Sequence, residues 1–309
     1  MFILLRLALI GPGLSFGSIA GGSRHTCGVA TGGAAYCWGK NFSGSLGNGS
    51  PEGYSAEPVA VSGGITFAAM AAGYLHTCGL AGGGSVYCWG NGEGWTPTLR
   101  SGAPAFAQLD LGADQACGLT PAGAPYCWIH GGSMTPTGGG LLFTQLSVGA
   151  NHSCGLDQSG VAWCWGLNQL GQLGAPPTGE VCQVGGPSDP EDPPPPVPCS
   201  TTPVPVATSL RFVVVSAGMS HSCGLDSQGA VYCWGSNSYG QLGNGSTAGG
   251  PTPVAVAGGL RFTQVSAGAE HSCGLATDGA VYCWGLNANG QLGTGTTESS
   301  LVPVRVIGQ

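Results

Sequence analysis

The chain has 309 residues, of which 60 are Gly and only 7% are charged, and its net charge is −7. Seven cations scattered against 14 carboxylates make no basic patch for a phosphate backbone, which argues against nucleic acid as a partner. Such a Gly content could signal disorder, but 42% hydrophobic residues with regularly spaced Trp, Tyr and Val predict packed structure.

In chain order, residues 1–13 (MFILLRLALIGPG) are apolar, with Arg6 inside the run rather than ahead of it. Two readings apply: an export signal, or a remnant of a repeat. The segment LSFGSIAGGSRHTCGV from Leu14 aligns without gaps on LRFTQVSAGAEHSCGL from Leu260, which puts residues 8–10 where residues 254–256 lie. The degenerate-strand reading is therefore preferred, and residues 14–309 are expected to form a single domain. No stretch reaches the ~20 apolar residues that a membrane-spanning helix needs.

Six times from there on, two cysteines stand ten positions apart. The pairs are Cys27 and Cys37, Cys78 and Cys88, Cys117 and Cys127, Cys154 and Cys164, Cys223 and Cys233, and Cys273 and Cys283. A feature at fixed spacing that recurs this often marks a repeat protein. In the sixth copy, residues 253–256, 262–266, 271–276 and 280–285 are four strand signals separated by Gly-bearing turns, with no helical period. A three-residue loop over 277–279, with Gly279 at its left-handed third position, sets Cys273 opposite Cys283. They would form a non-hydrogen-bonded pair, with Cα atoms about 4.5 Å apart, close enough for a disulfide. Parity then puts His271, Cys273, Leu275, Val281 and Cys283 on one face, with Tyr282 and Trp284 on the other. Both faces carry apolar bulk, so each sheet must be sandwiched, as neighbouring propeller blades sandwich one another.

The same face offers His271, Cys273 and Cys283 as three zinc ligands. No fourth ligand recurs, and the third copy has Gln115 in place of the His while keeping both cysteines. Disulfides are the preferred reading, with metal sites and buried thiols as alternatives; no cofactor is expected, and the histidines are assigned hydrogen bonds between blades. Fourteen cysteines in seven plausible pairs, the seventh being Cys182 with Cys199, indicate an oxidising compartment.

After each Trp comes a loop that is intact in four copies, from Asn41, Asn168, Asn237 and Asn287. Repeats two and three lose it, reading NGEGWTPT from Asn91 and IHGGSMTPT from Ile129. Phe42, Trp95, His130 and Tyr239 occupy these variable loops and are candidate anchors for a protein partner, unless they tuck beneath their own loops. A Pro-rich acidic insertion, residues 175–203, is either a recognition loop or a tolerated excursion. A Cys182–Cys199 bridge would bound it, worth ~3 kcal/mol by loop entropy.

With Trp–Gly–x–Asn–x–x–Gly–Gln–Leu–Gly beside His–x–Cys–Gly–Leu, the chain resembles the regulator of chromosome condensation repeat family in its cysteine-paired bacterial form. The resemblance implies an all-β fold, a β-propeller of four-stranded antiparallel blades, commonly seven in the family where six repeats are recognised here. Family members include a nuclear guanine-nucleotide exchange factor, plant photoreceptor and kinase ectodomains, and secreted bacterial inhibitors of β-lactamase. The C-terminal LVPVRVIGQ from Leu301 matches the first strand of a repeat and then stops. It is expected to complete the first blade in a six-bladed ring, which would hide sheet edges; an open arc missing a blade is the alternative. No nucleophile elbow, phosphate loop or zinc-protease motif occurs, so no catalysis is expected. The expected function is an extracytoplasmic bacterial scaffold, secreted or at the cell surface, monomeric, binding a protein that the sequence does not name. A secreted inhibitor of a hydrolase such as a β-lactamase is the first alternative, and a guanine-nucleotide exchange factor for a small GTPase the second.

Overall fold

The computed structural model describes residues 14–129, 131–183 and 195–307. In all six hairpins the two cysteines face each other across the ladder and are bridged. Cys27 is joined to Cys37, Cys78 to Cys88, and Cys117 to Cys127. Cys154 is joined to Cys164, Cys223 to Cys233, and Cys273 to Cys283. Their Cα atoms are 4.0 to 4.1 Å apart, somewhat closer than the distance expected for an unbridged pair, because the short bridge draws the two strands together. Gly279 has φ +87°, its N–H donates to Ala276 O (3.0 Å), and Ala276 N donates to Ala280 O (2.8 Å). This is the three-residue loop that only a residue tolerant of the left-handed region closes without strain.

Each hairpin gains one strand on either side, giving six antiparallel sheets of a six-bladed β-propeller fold. The first strands are Phe16–Gly21, Phe67–Ala72, Gln108–Leu111, Gln145–Val148, Phe212–Ala217 and Phe262–Ala267. The fourth strands are Tyr54–Ala60, Gly94–Leu99, Thr135–Pro136, Val197–Pro205, Gly250–Ala255 and Ser300–Arg305. The C-terminal strand does not complete the first blade. Val304 lies opposite Cys283 in the sixth, and blade one is finished by its own Tyr54–Ala60, with Val59 opposite Cys37. In blades two and three the same place is taken by Thr98 opposite Cys88 and by Thr135 opposite Cys127. The post-Trp loop simply turns the chain back beside the Trp strand, so the blade ends one strand later than the sequence repeat.

Two compact units emerge: residues up to Leu142 hold blades one to three, and residues from Phe143 hold blades four to six. Within each unit the cysteine face of one blade packs on the aromatic face of the next. Cys27, Cys37 and Leu46 meet Phe67, Met70 and Trp89; Cys78 and Cys88 meet Phe106 and Trp128. Cys223, Cys233 and Leu242 likewise meet Phe262, Val265 and Trp284. The Gly of His–x–Cys–Gly makes room within its own blade, because a Cβ on Gly274 would come within 2.5 Å of the Phe262 ring on the adjacent strand.

The intact post-Trp loops are knitted by amide side chains. Asn237 Oδ1 accepts from Leu242 N (2.9 Å), while its Nδ2 donates to Ser246 O and Ala248 O (both 2.9 Å). That drives Leu242, 1% exposed, into the core beside the next Trp. Where repeat two lacks the loop, an ion pair stands in. Arg100 Nη1 lies 3.1 Å from both Glu93 oxygens, Glu93 Oε1 accepts from Gly131 N (2.9 Å), and the guanidinium donates to Gly132 O and sits over Trp128.

The described part of the insertion adds a fifth strand to blade four. Val181–Cys182 pairs with Val197–Pro205, Cys182 is bridged to Cys199, and Glu180 Oε2 accepts from Thr201 N (2.8 Å). All fourteen cysteines are thus consumed in seven disulfides, which removes the thiolates that the zinc reading needed. Among the described residues no helix is long and apolar enough to cross a membrane.

Candidate functional site

The histidines of His–x–Cys–Gly are built into the blade contacts. His152 Nε2 lies 2.7 Å from Ser222 Oγ, and that hydroxyl lies 3.0 Å from Gln172 O, which also accepts from Trp234 Nε1 (3.0 Å). His221, Ser272, Gln241 and Trp284 repeat the arrangement, as do His25, Thr77, Ser45 and Trp89. A hydroxyl has one proton, and here it is directed at a carbonyl; the imidazole must therefore donate from Nε2. Nδ1 of His25, His152 and His221 is then buried with no partner among the described residues. Desolvation holds the pKa of His25 and His152 down at about 4; His221, with His152 and His271 also nearby, is held at about 3. These rings are neutral structural parts, not acids or bases awaiting a substrate.

The exposed chemistry of the first unit gathers on blades one and two. The register that pairs His25 with Gly39 sets Arg24 opposite Lys40, whose N–H donates to Arg24 O (2.9 Å). The Arg24 guanidinium lies 5.5 Å from the centroid of Phe42 and 5.6 Å from that of Tyr74, and donates to Tyr74 Oη (3.3 Å). Lys40 Nζ lies 5.7 Å from the same Phe42 ring. Neither cation has a carboxylate partner among the described residues.

Phe42 is 40% exposed and Trp95 53%, so neither is tucked beneath its loop. They border one surface: Phe42 opens the turn Phe42–Gly44, and a Cβ on Gly44 would lie 2.8 Å from Trp95 Cδ1. Trp95 stands on the strand Gly94–Leu99 instead of a loop, because repeat two returns directly from Gly90 to Gly94. Tyr54, opposite Lys40 and 67% exposed, extends the surface.

Tyr239 belongs to the second unit. It is exposed in the turn after Asn237, its N–H held by Gln241 Oε1 (2.9 Å), and the adjoining Gly240 abuts Leu301, which is also exposed. This is the apolar counterpart of the Gly44–Trp95 contact, without cations. His130 lies outside the described residues.

Arg24, Lys40 and Tyr74 were not singled out by the motifs. The signal lay in the repeats themselves: the position of Arg24 holds Leu75, Asp114, Asn151, Ser220 and Glu270 in the other copies, and that of Lys40 holds Asn91, His130, Leu167, Ser236 and Leu286. Only the first copy has cations at both. Chemically, the patch offers a guanidinium fork stiffened by two rings, an ammonium beside it, and an apolar flank. It can grip an anion next to hydrophobic surface.

The sequence profile described as the RCC1-like domain matches residues 8–308. No curated protein matches significantly. Among solved structures, the chain is similar to Prp20p of Saccharomyces cerevisiae, at 24% identity and TM-score 0.79, covering 94% of this chain and 77% of that one. The same yeast RCC1 (Prp20) in its complex with Kap60 gives 23% identity and TM-score 0.78, over 94% and 75% of the two chains. Human WBSCR16 gives 20% identity and TM-score 0.80, over 97% and 83%. At these identities the structural likenesses speak for the fold.

Proposed function

This chain belongs to the RCC1-like family, and from that footing we propose that it is an extracytoplasmic protein-binding scaffold, secreted or displayed at a bacterial cell surface, with no catalysis of its own. The observation that carries the reading is the continuous exposed surface of Phe42, Tyr54, Tyr74 and Trp95 on blades one and two. Exposed rings around a cation are the residue types that dominate binding energy at protein interfaces. Seven disulfides support the oxidising compartment, since such bonds rarely persist where thiols are kept reduced. The yeast relative was studied for binding to Gsp1p and histones, which belongs to that protein. Nucleotide exchange here would call for a reducing compartment and finds no support in bridged cysteines, while inhibition of a secreted hydrolase remains a special case of protein binding.

The test is capture from an extracellular protein fraction on immobilised wild type and on the Phe42→Ala/Trp95→Ala double variant. Two interface aromatics at about 2 kcal/mol each should reduce retention of a specific partner well over tenfold. Equal retention by both proteins would remove this face from consideration.

A further inference from the structure

Arg24 and Lys40 are like charges set directly opposite each other on a hairpin, an arrangement that is destabilising by itself. Nothing on the described residues neutralises them. The rings instead hold them in place: Phe42 lies under both cations, and Tyr74 takes both the second side of the guanidinium and one of its N–H groups. A guanidinium so clamped has less rotamer freedom to lose when an anion arrives, and its remaining donors suit a carboxylate held by two hydrogen bonds. All this occurs in a chain of net charge −7 with only seven cations, two of which meet here.

We infer that Arg24 and Lys40 form the anion-recognition element of this face, and that the partner presents a carboxylate-bearing protein segment, Asp or Glu side chains flanked by an apolar residue that lies against Phe42 and Trp95. The inference rests on the protein-binding reading above. Charge counting selects this partner. A nucleic-acid footprint engages roughly 6–10 phosphates, and a basic membrane contact roughly 4–8 cations. Two cations side by side answer one or two carboxylates. The repeats agree, because four other blades with the same hairpin have neutral or acidic residues at both positions: Leu75 and Asn91, Asn151 and Leu167, Ser220 and Ser236, Glu270 and Leu286.

The experiment is fluorescence polarisation with a short labelled peptide carrying several Asp and Glu around one Leu, and with its Asn/Gln counterpart, run beside a sedimentation assay with phosphatidylserine vesicles. The acidic peptide should bind roughly tenfold to a hundredfold more tightly than the amide one, and the difference should shrink as salt is raised. Arg24→Gln and Lys40→Gln should each lower the affinity for the acidic peptide towards the amide level, while Trp95→Ala, on the apolar flank, weakens both peptides alike. Both cations are solvent-exposed, so these variants should melt with wild type, which a thermal scan checks.

Equal affinity for the two peptides, binding of neither, indifference of the acidic peptide to Arg24→Gln, or Arg24-dependent binding to vesicles alone would each overturn the inference. These failures are separable from failure of the scaffold reading. If the double aromatic variant loses a captured partner while acidic and amide peptides bind alike, the face stands and its charge selectivity falls. If capture is unchanged but the acidic peptide binds through Arg24, the anion element stands and the aromatic anchors fall.

Discussion

Protein that is unfolded, reduced and alkylated, then returned to native buffer, is expected to show no cooperative thermal transition, whereas the oxidised protein treated identically regains one. Six bridges each close a loop of sequence separation 10 and the seventh one of 17. Loop entropy gives about 3 kcal/mol for each, roughly 20 kcal/mol for all seven, against a typical net stability of about 5–15 kcal/mol. The loops are short and the hairpins already local, which trims the sum; halving it still removes most of an ordinary stability. The hairpin sulfurs sit in the faces that each neighbouring blade covers, Cys27, Cys37, Cys78, Cys88, Cys223 and Cys233 having no solvent exposure. A reductant therefore has to wait for a blade to open, which is why the denatured route is the cleaner measurement. Near-UV circular dichroism follows it. A reduced and alkylated protein that melts within a few degrees of the oxidised one would make the bridges incidental.

Acid should be the second large perturbation. The imidazoles of His25, His152 and His221 already spend Nε2–H on a neighbouring hydroxyl, so a second proton would have to sit on a buried Nδ1 that has no acceptor among the described residues. Their folded pKa values, about 4, 4 and 3, lie below the ordinary 6.5. Below pH 6.5 the unfolded chain binds protons that the folded chain refuses, so stability falls as pH falls, steadily down to about 4. Each ring removes up to about 1.4 kcal/mol per pH unit, so three rings over two units give a loss on the order of 8 kcal/mol. His271, also pushed down by burial, adds in the same direction. Urea midpoints between pH 7.5 and 4.5 measure this, and substitution of Gln at His152 or His221 should flatten the slope even while lowering stability at neutral pH. A midpoint constant across that range would show that these rings do not sit as described.

Much of the architecture was legible because cysteine is a register marker. Two residues ten apart, with Gly at the third loop position, determine which atoms face each other, and parity then sorts every side chain of the hairpin; the pairing of Cys273 with Cys283 and of Ser272 with Trp284 follows. What the repeat could not reveal was where a blade ends. A periodic sequence can be cut anywhere within its period, and the Leu301 segment looks like a beginning although it pairs as an end, with Arg305 opposite Tyr282. The insertion is Pro-rich by composition, and its last residues, from Val197, form a strand because Cys164 and Leu167 offer an open ladder edge.

The candidate site was half visible. Phe42 and Trp95 stood out because large rings in variable loops are conspicuous. Arg24 and Lys40 did not, being single departures separated by sixteen positions whose proximity exists only once the hairpin sets them side by side. Tyr74 was hidden for the same reason across a blade boundary.

The most direct measurement is a count of free thiols in denaturant, without reductant, on protein produced through an export pathway. A scaffold built for an oxidising compartment should show close to none of its 14 cysteines free. A count near 14 would contradict it, dissolve the bridges that pin every blade, and return the chain to a reducing compartment where a different function would have to be sought.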